Sequence, residues 1–210
     1  MPVFPSEKGH TLPGRQPLFK SSPGSSGRAQ LRGVLHNAVR ASTHLNHAAL
    51  DSLIVGFDFA DREAYGSFLH VHHAALQTLE PCWRPEDRAD FDAMADSVVK
   101  DLATLGITQG TIDPVGIGQM SEPGRFGVGY VIRGSRMGSA LLKKRVPSRW
   151  PSGYLDLQPK IAWAQFLRSL DQLSPLPDPE IEAEVILGAR CAFDVFSESA
   201  KIMLGNLRRQ

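Results

Sequence analysis

The sequence predicts an all-α protein, and three observations carry the prediction. After Leu31, apolar residues recur at steps of three and four through most of the chain. Proline and glycine fall between those runs, where helices start and stop. No stretch alternates polar and apolar residues as a half-buried strand does. The chain's 210 residues suffice to bury one core without disulfide or metal staples. A formal net charge of +1 argues against a partner held by phosphate neutralisation, so nucleic acid is not expected. No apolar run approaches the roughly 18 residues of a membrane-spanning helix. Composition thus points to a soluble enzyme or binder of a single domain, with no membrane partner.

Residues 1–30 are rich in Pro, Gly, Ser and basic residues, with few large apolar side chains to offset the entropy of ordering them. They read as a flexible tail without the apolar stretch of a secretory leader, and the expected location is cytoplasmic. Cys82 and Cys191 make no Cys-x-x-Cys motif and read as reduced thiols. The helical domain is expected over 31–205, with a short tail at 206–210.

The first helix is expected from Leu31 to near Gly56. Its buried stripe reads Leu31, Val34, Leu35, Ala38, Ser42, Leu45, Ala49 and Leu53. Asp61 is the N-cap of a second helix with the stripe Tyr65, Phe68, Leu69, His72, Leu76 and Leu79, stopped by Pro81. A third begins after Pro85, with Glu86 and Asp87 suiting its first turn, and ends at Gly106. Residues 107–120 read as loop. A fourth helical segment, broken by glycines, runs from about Gly124 to Arg145, and residues 147–157 form a connection. A fifth helix spans about 159–173. Asp178 and Pro179 open a sixth, which is expected to stop at Gly205.

Two segments carry candidate chemistry. Opposite its apolar stripe, the first helix presents Arg40, Thr43, His47 and Asp51, at steps of three, four and four. An imidazole one turn before a carboxylate can face a ligand while the acid orients the ring. An ordinary solvated face explains the same pattern, and spacing does not choose between His47 and its neighbour His44. Six of the seven histidines lie between His36 and His73. His70 and His73 are one turn apart and could share a metal, but no carboxylate or Cys nearby completes a tetrahedral set. His72 falls on the apolar stripe and reads as a hydrogen-bonded core residue.

The second segment is the glycine-broken helix. Gly127, Gly134 and Gly138 lie at steps of seven and four on one face, flanked by Ser135 and Ser139. Each mid-helix glycine costs about 1 kcal/mol against alanine, which calls for a return. Close helix packing is one explanation. A flat ligand lying on the backbone beside a kink is the other. The glycines alone leave the two open.

Together the two segments resemble the haem oxygenases, in particular the bacterial branch associated with bacteriophytochromes. The proximal helix of that family reads like Leu-Arg-x-x-Thr-x-x-x-His-x-x-Leu-Asp, against Val39-Arg40, Thr43, His47 and Leu50-Asp51 here. Its distal helix reads like Tyr-Val-Leu-Glu-Gly-Ser-x-Leu-Gly, against Tyr130-Val131-Ile132-Arg133-Gly134-Ser135-Arg136-Met137-Gly138. A weaker match is Asp101-Leu102 followed by Leu105-Gly106. The resemblance spans about residues 31 to 205.

The resemblance implies a multi-helix fold with haem sandwiched between a proximal helix and a kinked distal helix. It implies haem b as both cofactor and substrate, cleaved with O2 to biliverdin, carbon monoxide and ferrous iron. An external electron-transfer protein, a ferredoxin or reductase, would supply the electrons, and a bacteriophytochrome is an expected biliverdin acceptor. The protein is expected to be a monomer or dimer. Carried over by position, His47 takes the place of the axial iron ligand, Arg40 that of a propionate partner, and Asp51 that of an acid beside the imidazole. Thr43 belongs to the same haem-binding motif. Gly134 and Gly138 stand for the distal glycines against the haem. Ser135 occupies the position of a distal Asp that many members use to organise water. Arg133 stands where the branch commonly has Glu, and its contact is left open. A non-catalytic haem or tetrapyrrole binder on the same fold, and a helical interaction domain without cofactor, are the competing readings.

Overall fold

A computed structural model describes residues 33–108 and 117–209. The expected tail at 1–30 and most of the 107–120 loop lie outside them. Among the described residues every regular element is helical, as the periodicity predicts. The main helices are α1 (Val34–Val55), α2 (Arg62–Leu79), α3 (Pro85–Thr104) and α4 (Glu122–Ser135). Short α5 (Ser139–Lys143) and α6 (Gly153–Asp156) follow, then α7 (Trp163–Leu173) and the long α8 (Pro179–Leu207). No helix among these residues is long and apolar enough to cross a membrane.

Local chemistry explains the boundaries. The Asp61 carboxylate accepts the Ala64 amide at 2.8 Å, and Asp178 caps α8 through the amides of Glu180 and Ile181. Gly106 follows α3 with φ 68°, a left-handed turn that a side chain would strain. Pro81 ends α2 in a single 3-10 turn, Glu80–Cys82. α8 passes Gly205, where a stop was expected, because one glycine weakens a packed helix without terminating it. The expected connection at 147–157 contains α6, pinned by Asp101, whose carboxylate accepts the Tyr154 amide at 2.9 Å.

α8 is the central element: α1, α2 and α4 all pack on it. Its buried Ala189, Ala192, Phe193, Phe196 and Ala200 join Phe68, Leu69 and Leu76 of α2 and Val128 and Ile132 of α4 in one core. The expected stripe of α1 is rotated. Leu35, Val39 and Thr43 are buried, whereas Leu45 is 71% exposed and Ala49 is exposed as well. The apolar and small residues of α1 occur on every side, so their spacing does not single out the face that α8 covers.

Candidate functional site

α1 and the α4–α5 segment both rest on α8 and meet each other near both ends. Near the start of α1, His36 Nδ1 lies 3.2 Å from the Tyr130 hydroxyl of α4. Beyond its end, Arg145 donates to the Phe57 carbonyl at 2.8 Å. Between these two ties, α1 carries Arg40, His47 and Asp51, all exposed, and the opposing segment carries Gly134, Ser135 and Gly138. The candidate site is the stretch of the two elements between these ties.

On the α1 side, His47 Nδ1 pairs with the Asp51 carboxylate at 3.0 Å, which holds the ring and leaves Nε2 to a ligand. Phe193 of α8 lies edge-on to the imidazole at 5.9 Å and supports it from below. His44 instead turns back on its own helix, with Nδ1 2.8 Å from the Ala41 carbonyl oxygen. Thr43 belongs to the other face. It is 3% exposed and donates its hydroxyl hydrogen to the Val39 carbonyl oxygen at 2.7 Å. The expected polar stripe is therefore three residues, with Thr43 a packing residue beneath them.

On the opposite side the helix breaks where the glycines suggest. α4 ends at Ser135, a 3-10 turn covers Arg136–Gly138, and α5 resumes at Ser139. The three aligned glycines divide into two kinds. A methyl group on Gly127 would strike the Val185 carbonyl oxygen and lie 2.6 Å from the Ala189 amide nitrogen, so this glycine exists for close packing on α8. A methyl group on Gly134 would meet only the Trp163 ring, at 3.8 Å. On Gly138 it would meet nothing within 4 Å among the described residues. These two leave bare backbone beside open space. Ser135 donates to the Ile132 carbonyl oxygen at 2.8 Å, which leaves its oxygen lone pairs as acceptors. Met137 and Leu141, one turn apart, are each 68% exposed.

Arg133 answers the question its position raises. It is 2% exposed. Its guanidinium binds Asp87 at 2.7 Å and Asp90 at 2.9 Å, while Arg84 binds Asp87 at 2.7 Å from the other side. Two cations and two carboxylates thus neutralise one another in the core. Burial opposes ionisation of Asp90, but the amides of Lys160 and Ile161 and the Arg133 guanidinium outweigh it and hold this carboxyl below its ordinary range. The network fastens α4 to α3 and to the irregular segment leading to Trp163, the residue beside Gly134. Sequence reading missed it because its partners lie more than forty residues from Arg133 along the chain.

A second missed group supports the turn. His72 Nδ1 lies 2.7 Å from the Tyr154 hydroxyl, and Arg136 donates to the Tyr154 carbonyl at 2.7 Å with its guanidinium 4.6 Å from that ring. Burial, reinforced by the Arg136 charge, pushes the His72 pKa down to about 3. His72 is thus the hydrogen-bonded core residue the α2 stripe predicts. Arg136 Nε is buried and has no hydrogen-bond partner among the described residues. A cavity of about 230 Å³ adjoins the turn, between Arg133, Arg136 and Met137 on one side and Pro159, Ile161 and Trp163 on the other. Burial lowers the pKa of both His70 and His73, and no group of three metal-ligating side chains occurs among the described residues.

The nearer end of the site is lined by His36, Tyr130 and Trp163, their rings 5.2 to 6.2 Å apart. Burial raises the Tyr130 pKa, and the Arg40 charge partly offsets this; Arg40 lies one turn after His36 on α1. An acidic group entering here would meet a guanidinium and a phenol together. Tyr130 was quoted in the distal motif without a role; its place one turn before Gly134 was the available signal.

No protein-family model matches the chain, and no curated protein matches it either. Among solved structures, the chain is similar to the haem oxygenase of Neisseria meningitidis, crystallised with NO and CO bound. The TM-score is 0.67 at 24% identity, over 81% of this chain and 92% of that one. The chain therefore has the all-α fold of a haem oxygenase.

Proposed function

We propose that this chain is a haem-degrading oxygenase, opening haem to biliverdin, carbon monoxide and ferrous iron with O2 and electrons from an external ferredoxin or reductase. The observation that carries the reading is that two elements packed on the same α8 carry, on one, an exposed imidazole oriented by Asp51 and, on the other, two glycines with no backbone of the described residues packed against them. Facing each other across a flat ring, such groups would suit a ligand bound through one imidazole. The residues fit haem on three counts: a neutral imidazole nitrogen for iron, an unobstructed backbone wall, and a cation with a phenol at one end for acidic substituents.

Bound haem supplies the iron that activates O2 and is itself the molecule opened. The protein's share is position and polarity. Asp51 holds the His47 ring and leaves Nε2 to the ligand. Arg40 and Tyr130 fix the in-plane orientation by binding the carboxylate edge. Gly134 and Gly138 would let the backbone come close to a bound ring, and that backbone would restrict access to part of the ring. The Ser135 oxygen accepts a hydrogen bond from water at this wall. By its resemblance to the phytochrome-associated branch, we assign a bacteriophytochrome as the biliverdin acceptor.

The test is to incubate the purified protein with hemin, oxygen and an electron donor. The Soret band should decay as a bilin spectrum appears, and a stable Soret band without bilin contradicts the enzyme. One observation favours a second reading. The Ser135 hydroxyl hydrogen is bound within its own helix, so the wall offers no side-chain donor at that position. A non-catalytic haem binder would give the stable band.

A further inference from the structure

We propose that His36 is a positioning residue for the ligand's carboxylate edge: through the Tyr130 hydroxyl, it couples carboxylate binding beside Arg40 to uptake of one proton. The proposal rests on the haem reading above and concerns a residue outside both motifs.

Geometry places His36 for this task. Its Nδ1 is 3.2 Å from Tyr130 Oη, and its ring packs against both the Tyr130 phenol and the Trp163 indole, which also touch each other. Arg40 lies one turn further along the same face of α1. Among the described residues, the charged or titratable groups facing the imidazole are Arg40 from α1, Tyr130 from α4 and Asp171 from α7. Asp171 is itself held in place, accepting the Gly33 amide at 3.1 Å through each carboxylate oxygen.

The direction of one hydrogen bond then matters. A neutral His36 with its proton on Nε2 accepts the Tyr130 hydroxyl hydrogen at Nδ1. Tyr130 then turns only lone pairs toward an incoming carboxylate, which repels it. When His36 gains a proton from solvent at Nδ1, it donates to the Tyr130 oxygen and frees the phenol hydrogen for the carboxylate. Burial and then the Arg40 charge hold the His36 pKa below its ordinary value, while Asp171 opposes them. A carboxylate beside Arg40 offsets the second of these, so ligand binding favours the protonated ring.

The experiment is a hemin titration of the full chain near pH 6 and near pH 8, followed by the Soret shift. Parallel calorimetry in two buffers of different ionisation enthalpy counts protons. Other groups make hemin binding pH-dependent in every variant, so the readout is a comparison. Relative to His36→Gln, wild type should gain about fivefold in affinity on going from the higher to the lower pH, with net proton uptake. Tyr130→Phe should lose that gain although His36 and Arg40 remain, and hemin dimethyl ester should show none with any variant. Identical pH dependence in wild type and His36→Gln, or the same gain with the ester, overturns the proposal while leaving haem binding intact. Absence of a Soret shift in wild type at either pH overturns the haem reading and this proposal with it.

Discussion

The two halves of the α4–α5 segment use glycine for opposite purposes. In the first half, Gly127 meets α8 so closely that no methyl group fits, and across the contact Gly188 would strike the Gly124 carbonyl oxygen. In the second half, a methyl group on Gly134 would make only ordinary contact with the Trp163 ring, and on Gly138 it would meet nothing within 4 Å among the described residues. One spacing rule placed all three on one face, yet only the partner opposite each reveals its purpose. A glycine against backbone stabilises the fold, and a glycine against open space has given up helix propensity without a packing return. The second kind is the stronger sign of a ligand.

The comparison can be broken in order of expected effect. Arg133 anchors the segment at the boundary between its halves. Arg133→Ala should destabilise the protein by about 3 kcal/mol in chemical denaturation, since it leaves Asp90 in the core without its cation and Asp87 with Arg84 alone. Gly127→Ala should cost about 3 kcal/mol by overpacking against backbone that cannot move aside, without altering hemin affinity of the folded fraction.

A pH scan probes the support beneath the second half. His72 titrates at about 3 in the fold against about 6.5 when unfolded, so the unfolded chain binds the extra proton between those values. Its contribution is complete above the unfolded value and is lost as pH falls toward 3. At pH 5 the loss should be about 2 kcal/mol, and His72→Gln should flatten the slope. Gly134→Ala has the smallest expected effect on stability, a gain of up to about 1 kcal/mol from helix propensity. It should nevertheless weaken hemin binding about tenfold by intruding on the bare wall. That divergence between stability and affinity sharpens the contrast with Gly127.

Where cause was local, the fold was legible in the sequence. The Asp61 and Asp178 caps, the left-handed Gly106 and the break after Ser135 each depend on residues within a turn of one another. His72 in the core followed from the period of α2. The orientation of α1 was not legible, since its alanines and leucines surround the helix and only contact with α8 decides which of them are covered. Thr43 was misplaced for that reason. The Arg133 network was illegible for a different one: a basic residue looks solvent-exposed until carboxylates from a distant helix are found around it. In the site, His47, Asp51, Gly134 and Gly138 were named from the residues and the resemblance, while the Tyr130 and His36 contact across two helices emerged only from the fold.

The central claim is that His47, oriented by Asp51, faces a haem held against the Gly134 and Gly138 backbone. The most direct measurement is the optical spectrum of the hemin complex in wild type, His47→Ala and His44→Ala. The account predicts a stoichiometric Soret shift in wild type and in His44→Ala, and loss of the histidine-ligated spectrum in His47→Ala. An unchanged spectrum in His47→Ala, with loss in His44→Ala, would contradict it.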